Sequence, residues 1–140
     1  MSISTIKTVM ETKLNAEIQT TAIKWFNSSS HTLNGVVLTP SEISALTQFI
    51  EPRIIPIDED REIIGSATGF KYLVFFQVSI YTKLNKGSGG IYTLSDTLNA
   101  LFKEQIESDV VCDMTETLVS YESGDWLVTP IRFRCHIYAS

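Results

Sequence analysis

The chain has 140 residues and a mass of 15.7 kDa, a length that favours one domain with its own core. Apolar residues make up 44% and charged residues 19%, which excludes a disordered chain, and the net charge of −5 argues against non-specific binding to nucleic-acid backbones. Two cysteines are too few for a disulfide scaffold, and no apolar run reaches the length of a membrane span. The first residues lack the pattern of a secretion signal, so we expect a chain that folds in the cytoplasm.

The first predicted element is an amphipathic helix over about residues 4–17, followed by a short strand over about 21–26. The helix is indicated by apolar residues that recur every three or four positions, namely Ile3, Ile6, Met10 and Leu14. The polar segment after the strand ends in Asn34-Gly35, a pair that favours positive φ angles. We therefore expect either a hairpin tip or a mobile loop at that pair.

A capping sequence and two prolines mark the next segment. Thr39-Pro40-Ser41-Glu42 combines an N-cap residue, a proline at the first helical position and an acid that can complete a capping box, which predicts a short helical turn over about 40–46. Residues 47–57 are β-rich, but Pro52 and Pro56 cannot donate to a ladder. We expect an edge strand, or a strand that is broken at its end.

An acidic run, Asp58-Glu59-Asp60-Arg61-Glu62, separates that strand from the next. The run lacks the glycine and the spacing of a calcium-binding loop, so we interpret it as a solvated acidic loop, with a divalent-cation loop as the alternative. Alternation then gives the clearest strand of the chain, over 70–82. Both faces of this strand are at least half apolar, which predicts a central position in the sheet.

The second half of the chain predicts one helix and two strands. The stretch Lys86-Gly87-Ser88-Gly89-Gly90 reads as a flexible connection, since it lacks the spacing of a phosphate-binding loop. An amphipathic helix over about 91–107 follows it. Strands over about 110–121 and 126–138 close the chain, and the polar residues between them have the chemistry of a turn.

The two final strands can pair in a register that places Cys112 opposite Cys135. On the other face this register brings Arg134 next to Asp113, a favourable cross-strand ion pair. The pairing is poor near Pro130, where we expect a bulge.

These elements predict an α+β domain over residues 1–140, in the order α-β-β-β-α-β-β, with a mostly antiparallel twisted sheet packed against two helices. We expect the sheet and the second helix to contribute the following buried residues: Leu73, Phe75, Met114, Phe133, Cys135, Ile137, Leu94, Leu98, Leu101 and Phe102.

No set of residues predicts catalysis, a cofactor site or a metal site. His31 follows three serines in a polar segment, and the sequence places no acid to orient it, so a local polar loop is the favoured interpretation. Cys112 and Cys135 lack the two further ligands of a zinc site and lie on apolar strand faces. We expect them to be buried, reduced neighbours, and we expect the chain not to be an enzyme.

The element order resembles the tail-terminator family of long-tailed bacteriophages over nearly the whole chain. The matching details are short patterns that accompany the predicted helices and strands. They are Ile23-Lys24-Trp25-Phe26-Asn27, Phe49-Ile50-Glu51-Pro52-Arg53-Ile54-Ile55-Pro56, Ile64-Gly65, Lys86-Gly87-Ser88-Gly89-Gly90-Ile91-Tyr92, Leu98-Asn99-Ala100-Leu101-Phe102 and Trp126-Leu127-Val128-Thr129-Pro130-Ile131-Arg132-Phe133.

The resemblance implies a structural virion protein that is assembled in the host cytoplasm. It implies a hexameric ring that caps the finished tail tube, stops further addition of tube protein and joins the tail to the head or neck. The partners would be further copies of the chain, the tail-tube protein and a neck or head-completion protein, with genome DNA only passing through the lumen and no membrane. A tail-tube subunit and a neck or head-completion protein are close alternatives, and a small ligand-binding α+β domain is a more remote one.

We expect three polar or glycine-rich segments beside strands to make the contacts of such a ring or to line its lumen. Their residues are Asn34, Gly35, Asp58, Glu59, Asp60, Lys83, Lys86, Gly87, Ser88, Gly89 and Gly90.

Overall fold

The computed structural model describes the backbone of residues 3–28, 30–64 and 67–139, and the side chains of these residues outside 58–72 and 138–139. The described elements comprise three helices and nine strands in one chain order. They are α1 Ile3–Glu17, β1 Ala22–Lys24, β2 His31–Leu33, β3 Val36–Val37, α2 Pro40–Ser44, β4 Gln48–Ile64, β5 Ala67–Lys83, α3 Gly89–Phe102, β6 Gln105–Glu107, β7 Val110–Thr117, β8 Tyr121–Ser123 and β9 Trp126–Ala139.

All nine strands belong to one sheet, in the order β3-β2-β1-β4-β5-β9-β7-β6, with β8 paired to β9 beside this path. The pairings are antiparallel except that of β1 with β4, which is parallel, so the sheet is mixed. The long strands β4, β5 and β9 form its middle. The prediction of a central strand over 70–82 is confirmed, since β5 lies between β4 and β9.

The main core lies between one face of the sheet and the helices α1 and α3. Alternate residues of β5 are fully buried on this face, in keeping with the period of two in a strand: Val74, Phe76, Val78 and Ile80. Phe102 of α3 packs against Phe76 and Phe133, with ring centroids 5.2 and 5.4 Å apart. The apolar stripe of α1 is buried through Ile6, Met10 and Leu14, as predicted.

A smaller apolar cluster covers one end of the opposite face of the sheet. Phe49 of β4 stacks on Tyr81 of β5 with centroids 4.5 Å apart, and Trp126 of β9 meets Phe49 edge-on at 4.9 Å. Ile43 of α2 packs against this cluster. The predicted capping box of α2 is confirmed, because Thr39 and Glu42 bond to each other's backbone N–H groups.

The strands β4 and β5 extend beyond the rest of the sheet as a long hairpin. β7 contributes its last pairing to β9 at the level of Leu73, whereas the hairpin continues to the pair Ile64 and Ala67. Six further residues of strand carry it about 20 Å past that level. β9 accompanies the hairpin for the first part of this distance, up to the pair Phe70 and Ala139.

The α+β class is confirmed, but the predicted element order and the count of two helices are wrong in detail. The residues 105–107 form the strand β6, so α3 ends at Phe102 and not near 107. The acidic run 58–62 lies within β4 and is not a loop, because tertiary pairing with β5 imposes an extended backbone on it. Neither acids nor prolines break β4, although Pro52 and Pro56 do lie where β4 has no described neighbour on the β1 side.

Part of the predicted core is also wrong. Leu73 and Phe75 are only partly buried, since they lie on the face of β5 that α1 and α3 do not cover. Met114 is 52% exposed because the β7–β9 register shifts between Cys112 and Met114, which turns Met114 towards Arg134. The expected bulge therefore occurs in β7, whereas β9 is regular through Pro130.

Candidate assembly surface

Asn34 and Gly35 form the tip of the β2–β3 hairpin, which settles the open choice between a hairpin tip and a loop. Their φ angles are +51° and +79°, as a tight two-residue hairpin turn requires. The strand β3 that follows is an edge of the sheet, and its residues Val36 and Val37 are exposed. This hairpin therefore presents unpaired backbone groups together with apolar side chains.

The segment from Lys83 to Gly90 connects β5 to α3 through an ordered turn. Gly87 has a φ angle of +78°, and Gly89 and Gly90 already belong to the first turn of α3. Gly90 also lies close to Gln48, since an added Cβ would be 3.3 Å from its Nε2. Lys83 lies at the end of β5, with its Nζ 5.2 Å from the centroid of the Trp126 ring.

The acids Asp58, Glu59 and Asp60 lie at the opposite end of the sheet from this turn. Asp58 pairs with Leu73, ten residues along β5 from Lys83, which corresponds to about 33 Å of strand. The structure therefore does not bring the predicted contact residues together in one patch. Their role in contacts stays a prediction.

Sequence reasoning missed a cluster of arginines on the sheet face opposite α1 and α3. Arg53 of β4, Gln77 of β5 and Arg132 of β9 are direct cross-strand partners in one row, so their side chains share a face. Arg134 lies two residues further along β9 on the same face, opposite Phe75. We call Arg53, Gln77, Arg132 and Arg134 the arginine face.

Two guanidinium groups of the arginine face contact no carboxylate among the described residues. Arg132 donates from Nε to Gln77 Oε1 at 2.8 Å and lies 5.2 Å from the centroid of the Phe75 ring. Arg53 lies 4.5 Å from the centroid of the Phe26 ring, and its buried Nε has no hydrogen-bond partner. Leaving a buried donor unsatisfied is unfavourable, so these groups can gain free energy from an added anionic partner.

Arg134 differs because its charge is already paired. It donates from Nε to Asp113 Oδ1 at 3.0 Å, and the other oxygen of Asp113 is 3.4 Å from Nδ1 of His136. The hydrogen bond and the charge of Asp113 raise the pKa of Arg134. The predicted ion pair is confirmed, although the register shift places Asp113 in the bulge itself.

The candidate chemistry elsewhere is that of packed core groups. Cys112 and Cys135 are buried free thiols directly opposite each other, as the predicted register requires. His31 lies in β2 and not in a loop, with its ring 5.0 Å from that of Phe49. Burial lowers the pKa of His31, and the charge of Lys24 lowers it further. Within the described residues no group of three or more histidine, cysteine, aspartate or glutamate side chains could hold a metal ion.

The sequence carried one signal of the arginine face, namely two arginines at alternate positions of a predicted strand, Arg132 and Arg134. Alternation places both on one side of the strand. Arg53 is 79 positions away from Arg132, and only the β4-β5-β9 order brings it into the same row.

No family model matches the chain, and no curated protein matches its sequence. One solved structure, of a protein known by a serial identifier, is similar with a TM-score of 0.64 at 17% sequence identity. The similarity covers 98% of this chain and 96% of that one, and at this identity it shows the fold alone. Across the part of the chain that the structure describes, no helix combines the length and hydropathy needed to cross a bilayer.

Proposed function

We propose that this chain is a tail-terminator subunit, a structural virion protein that assembles in the host cytoplasm into a hexameric ring. The ring caps the finished tail tube, ends the addition of tube protein and offers a surface to a neck or head-completion protein. It requires no cofactor and has no membrane partner, and genome DNA only passes through its lumen.

One observation carries this proposal beyond the resemblance in element order. The subunit has two prominent and unlike surfaces, namely a hairpin that extends about 20 Å beyond the sheet and a sheet face that carries three arginines. A ring with head-to-tail contacts needs two different surfaces on each subunit, because every neighbour is bound through a different one. A monomeric ligand-binding domain requires neither surface.

Further support comes from the edges of the sheet. Both end strands, β3 and β6, are short, and they expose Val36, Val37 and Ile106. Short edge strands with exposed apolar side chains are suited to contacts with other chains. A terminator has to bind tube protein as well as its own copies, so it needs contact surfaces of this kind in addition to those within the ring.

Tube assembly in the presence of the purified chain tests the proposal. Tube protein that polymerises alone grows to uncontrolled lengths, whereas tubes formed with the chain should be limited in length and should carry a ring at one end in negative-stain images. Adding the chain after growth has finished should leave tube lengths unchanged, which separates capping from severing. Size exclusion of the isolated chain should give about six times the 15.7-kDa monomer mass, or a monomer that forms rings on tubes.

Other outcomes would favour the alternatives. If tubes grow to the same lengths with and without the chain, the terminator function is wrong. If the chain itself polymerises into tubes, it is a tail-tube subunit. If it binds heads but leaves tube length unchanged, it is a neck or head-completion protein.

A further inference from the structure

We propose that the arginine face of one copy binds the acidic hairpin of the next copy around the ring. The acidic hairpin is the part of β4 and β5 that extends beyond the sheet, residues 58–64 and 67–72, and it begins with the run Asp58-Glu59-Asp60-Arg61-Glu62. The inference rests on the proposed ring and names the two surfaces that meet at each of its subunit contacts.

The arginine face has the chemistry of a receptor for carboxylates. Arg53 and Arg132 have no carboxylate partner among the described residues, and the buried Nε of Arg53 donates to nothing. The guanidinium groups are held in place on a three-stranded sheet, Arg53 by the Phe26 ring and Arg132 by Gln77. A planar guanidinium that is already positioned binds carboxylates through paired, charge-assisted hydrogen bonds.

The charges of the two surfaces are complementary. The acidic hairpin carries four acids against the two bases Arg61 and Lys71. On the arginine face, the charge of Arg134 is balanced by Asp113, which leaves Arg53 and Arg132 unbalanced. An excess of negative charge on one surface therefore corresponds to an excess of positive charge on the other.

The acids of a given chain cannot reach its own arginine face. Asp58 lies five residues from Arg53 along β4, about 17 Å of extended chain, and the later acids lie further away. β4 is paired with β5 residue by residue over this distance, with one register shift near Pro56. The paired strands keep the acids directed away from the sheet, so a second copy has to supply the carboxylates.

Side-chain contacts, and not strand addition, are the mode of binding that β4 permits. Its pairing with β1 ends at Ile50, so the strand is an edge from Glu51 onward. Pro52 and Pro56 lie on that edge and lack backbone donors, which discourages the pairing of a further strand. Each copy then donates one acidic hairpin and accepts another, a heterologous contact that closes into a ring.

Charge reversal on each surface tests the inference. The face variant R53E/R132E and the hairpin variant D58K/D60K are compared with the variant that combines all four substitutions. K7E/K103E is the matched control, because it changes the charge by the same amount as the face variant at exposed positions of α1 and just after α3. Ring formation is measured by sedimentation and negative stain over a range of concentrations, and folding by circular dichroism.

We expect the wild type and K7E/K103E to form rings, with an assembly midpoint that rises in high salt because the contact is ionic. Each single-surface variant should need about tenfold or more higher concentration, since like charges then face each other. The combined variant should recover ring formation, because the reversed charges again attract. Loss in both single-surface variants with recovery in the combined one supports the inference.

Because Arg53 is partly buried, the face variant can be unstable, and the hairpin variant then decides, since its substitutions lie beyond the main core. Rings formed by D58K/D60K at wild-type concentrations overturn the inference and leave the proposed function standing. Rings that form in the face variant but no longer cap tubes identify tube protein as the occupant of the arginine face, and also overturn it. A wild type that forms no ring, alone or on tubes, overturns the inference and the proposed function together.

Discussion

Cys112 and Cys135 are opposite each other on β7 and β9 with their Sγ atoms 2.7 Å apart, and Sδ of Met10 in α1 lies 3.9 Å from Cys112 Sγ. The three sulfur atoms join the first helix to the second half of the sheet inside the main core. The hydrogen bond with Cys112 raises the pKa of Cys135, and burial raises it further. A thiol with a raised pKa carries little thiolate at neutral pH and is a poor nucleophile.

The first prediction follows from this burial. A thiol reagent should react with fewer than one thiol per folded chain over minutes, and with two thiols after denaturation of freshly purified protein. The measurement is a colorimetric thiol count with and without denaturant. A count of zero in denaturant would show that the pair is oxidised, and rapid reaction of the folded chain would show that the pair is accessible.

The second prediction concerns the stripe of α3. Leu98 is fully buried, whereas Leu101 is only partly buried against the same core. Leu98→Ala should lower the free energy of unfolding by about 2–5 kcal/mol, because it removes buried methyl groups and leaves a cavity. Leu101→Ala serves as the control and should cost less. A loss below about 0.5 kcal/mol for Leu98→Ala in a two-state melt would contradict the placement of this face in the core.

Features encoded within a few neighbouring residues could be predicted from the sequence. The turn at Asn34-Gly35 and the capping box of Thr39 and Glu42 depend on local backbone geometry and local hydrogen bonds, and both are present. The apolar stripe of α1 has the same local character. The Cys112–Cys135 pairing could be predicted because a short connection constrains the strands on either side of it.

Features that depend on distant parts of the chain could not be predicted. The run Asp58-Glu59-Asp60-Arg61-Glu62 has a poor intrinsic preference for strand, and pairing with β5 overrides it. Met114 is exposed because one residue bulges in β7, and a shift by one residue turns every later side chain to the other face. The arginine face depends on strand order, which no local pattern specifies.

The third prediction compares two glycines at which an added methyl group has room. Gly35 has a φ angle of +79° and Gly89 does not have a positive φ, while neither has an atom within 4 Å of an added Cβ. Gly35→Ala should lower the free energy of unfolding by about 1–2 kcal/mol, because an L-residue is strained in the left-handed region. Gly89→Ala should raise it by about 0.4–1 kcal/mol, because it restricts the unfolded chain.

Chemical denaturation of both variants measures this difference, and backbone strain is its only source. Equal effects at the two positions would contradict the turn geometry assigned to Asn34-Gly35. Since Gly89 lies in a predicted contact segment, ring formation by Gly89→Ala should be recorded beside its stability.

The last prediction is a pH dependence that arises from His31. Burial, and then the charge of Lys24, lowers the pKa of His31 in the folded state, and the buried Nδ1 atom has no hydrogen-bond partner. As the pH falls below the unfolded value of about 6.5, the unfolded chain therefore binds a proton that the folded chain disfavours. The stability contributed by neutral His31 is present above that pH and is lost as the pH falls below it.

His31→Gln keeps a polar side chain at this position but removes the titration. The free energy of unfolding is measured by denaturant titration at pH 7.5 and at pH 5.5 for both proteins, and the loss between the two pH values is compared. Every other titrating group is common to both chains, so its contribution cancels to first order. We expect the wild type to lose more stability than His31→Gln over this interval. Equal losses, or a larger loss in the variant, would show that His31 is protonated as readily in the folded chain as in the unfolded one.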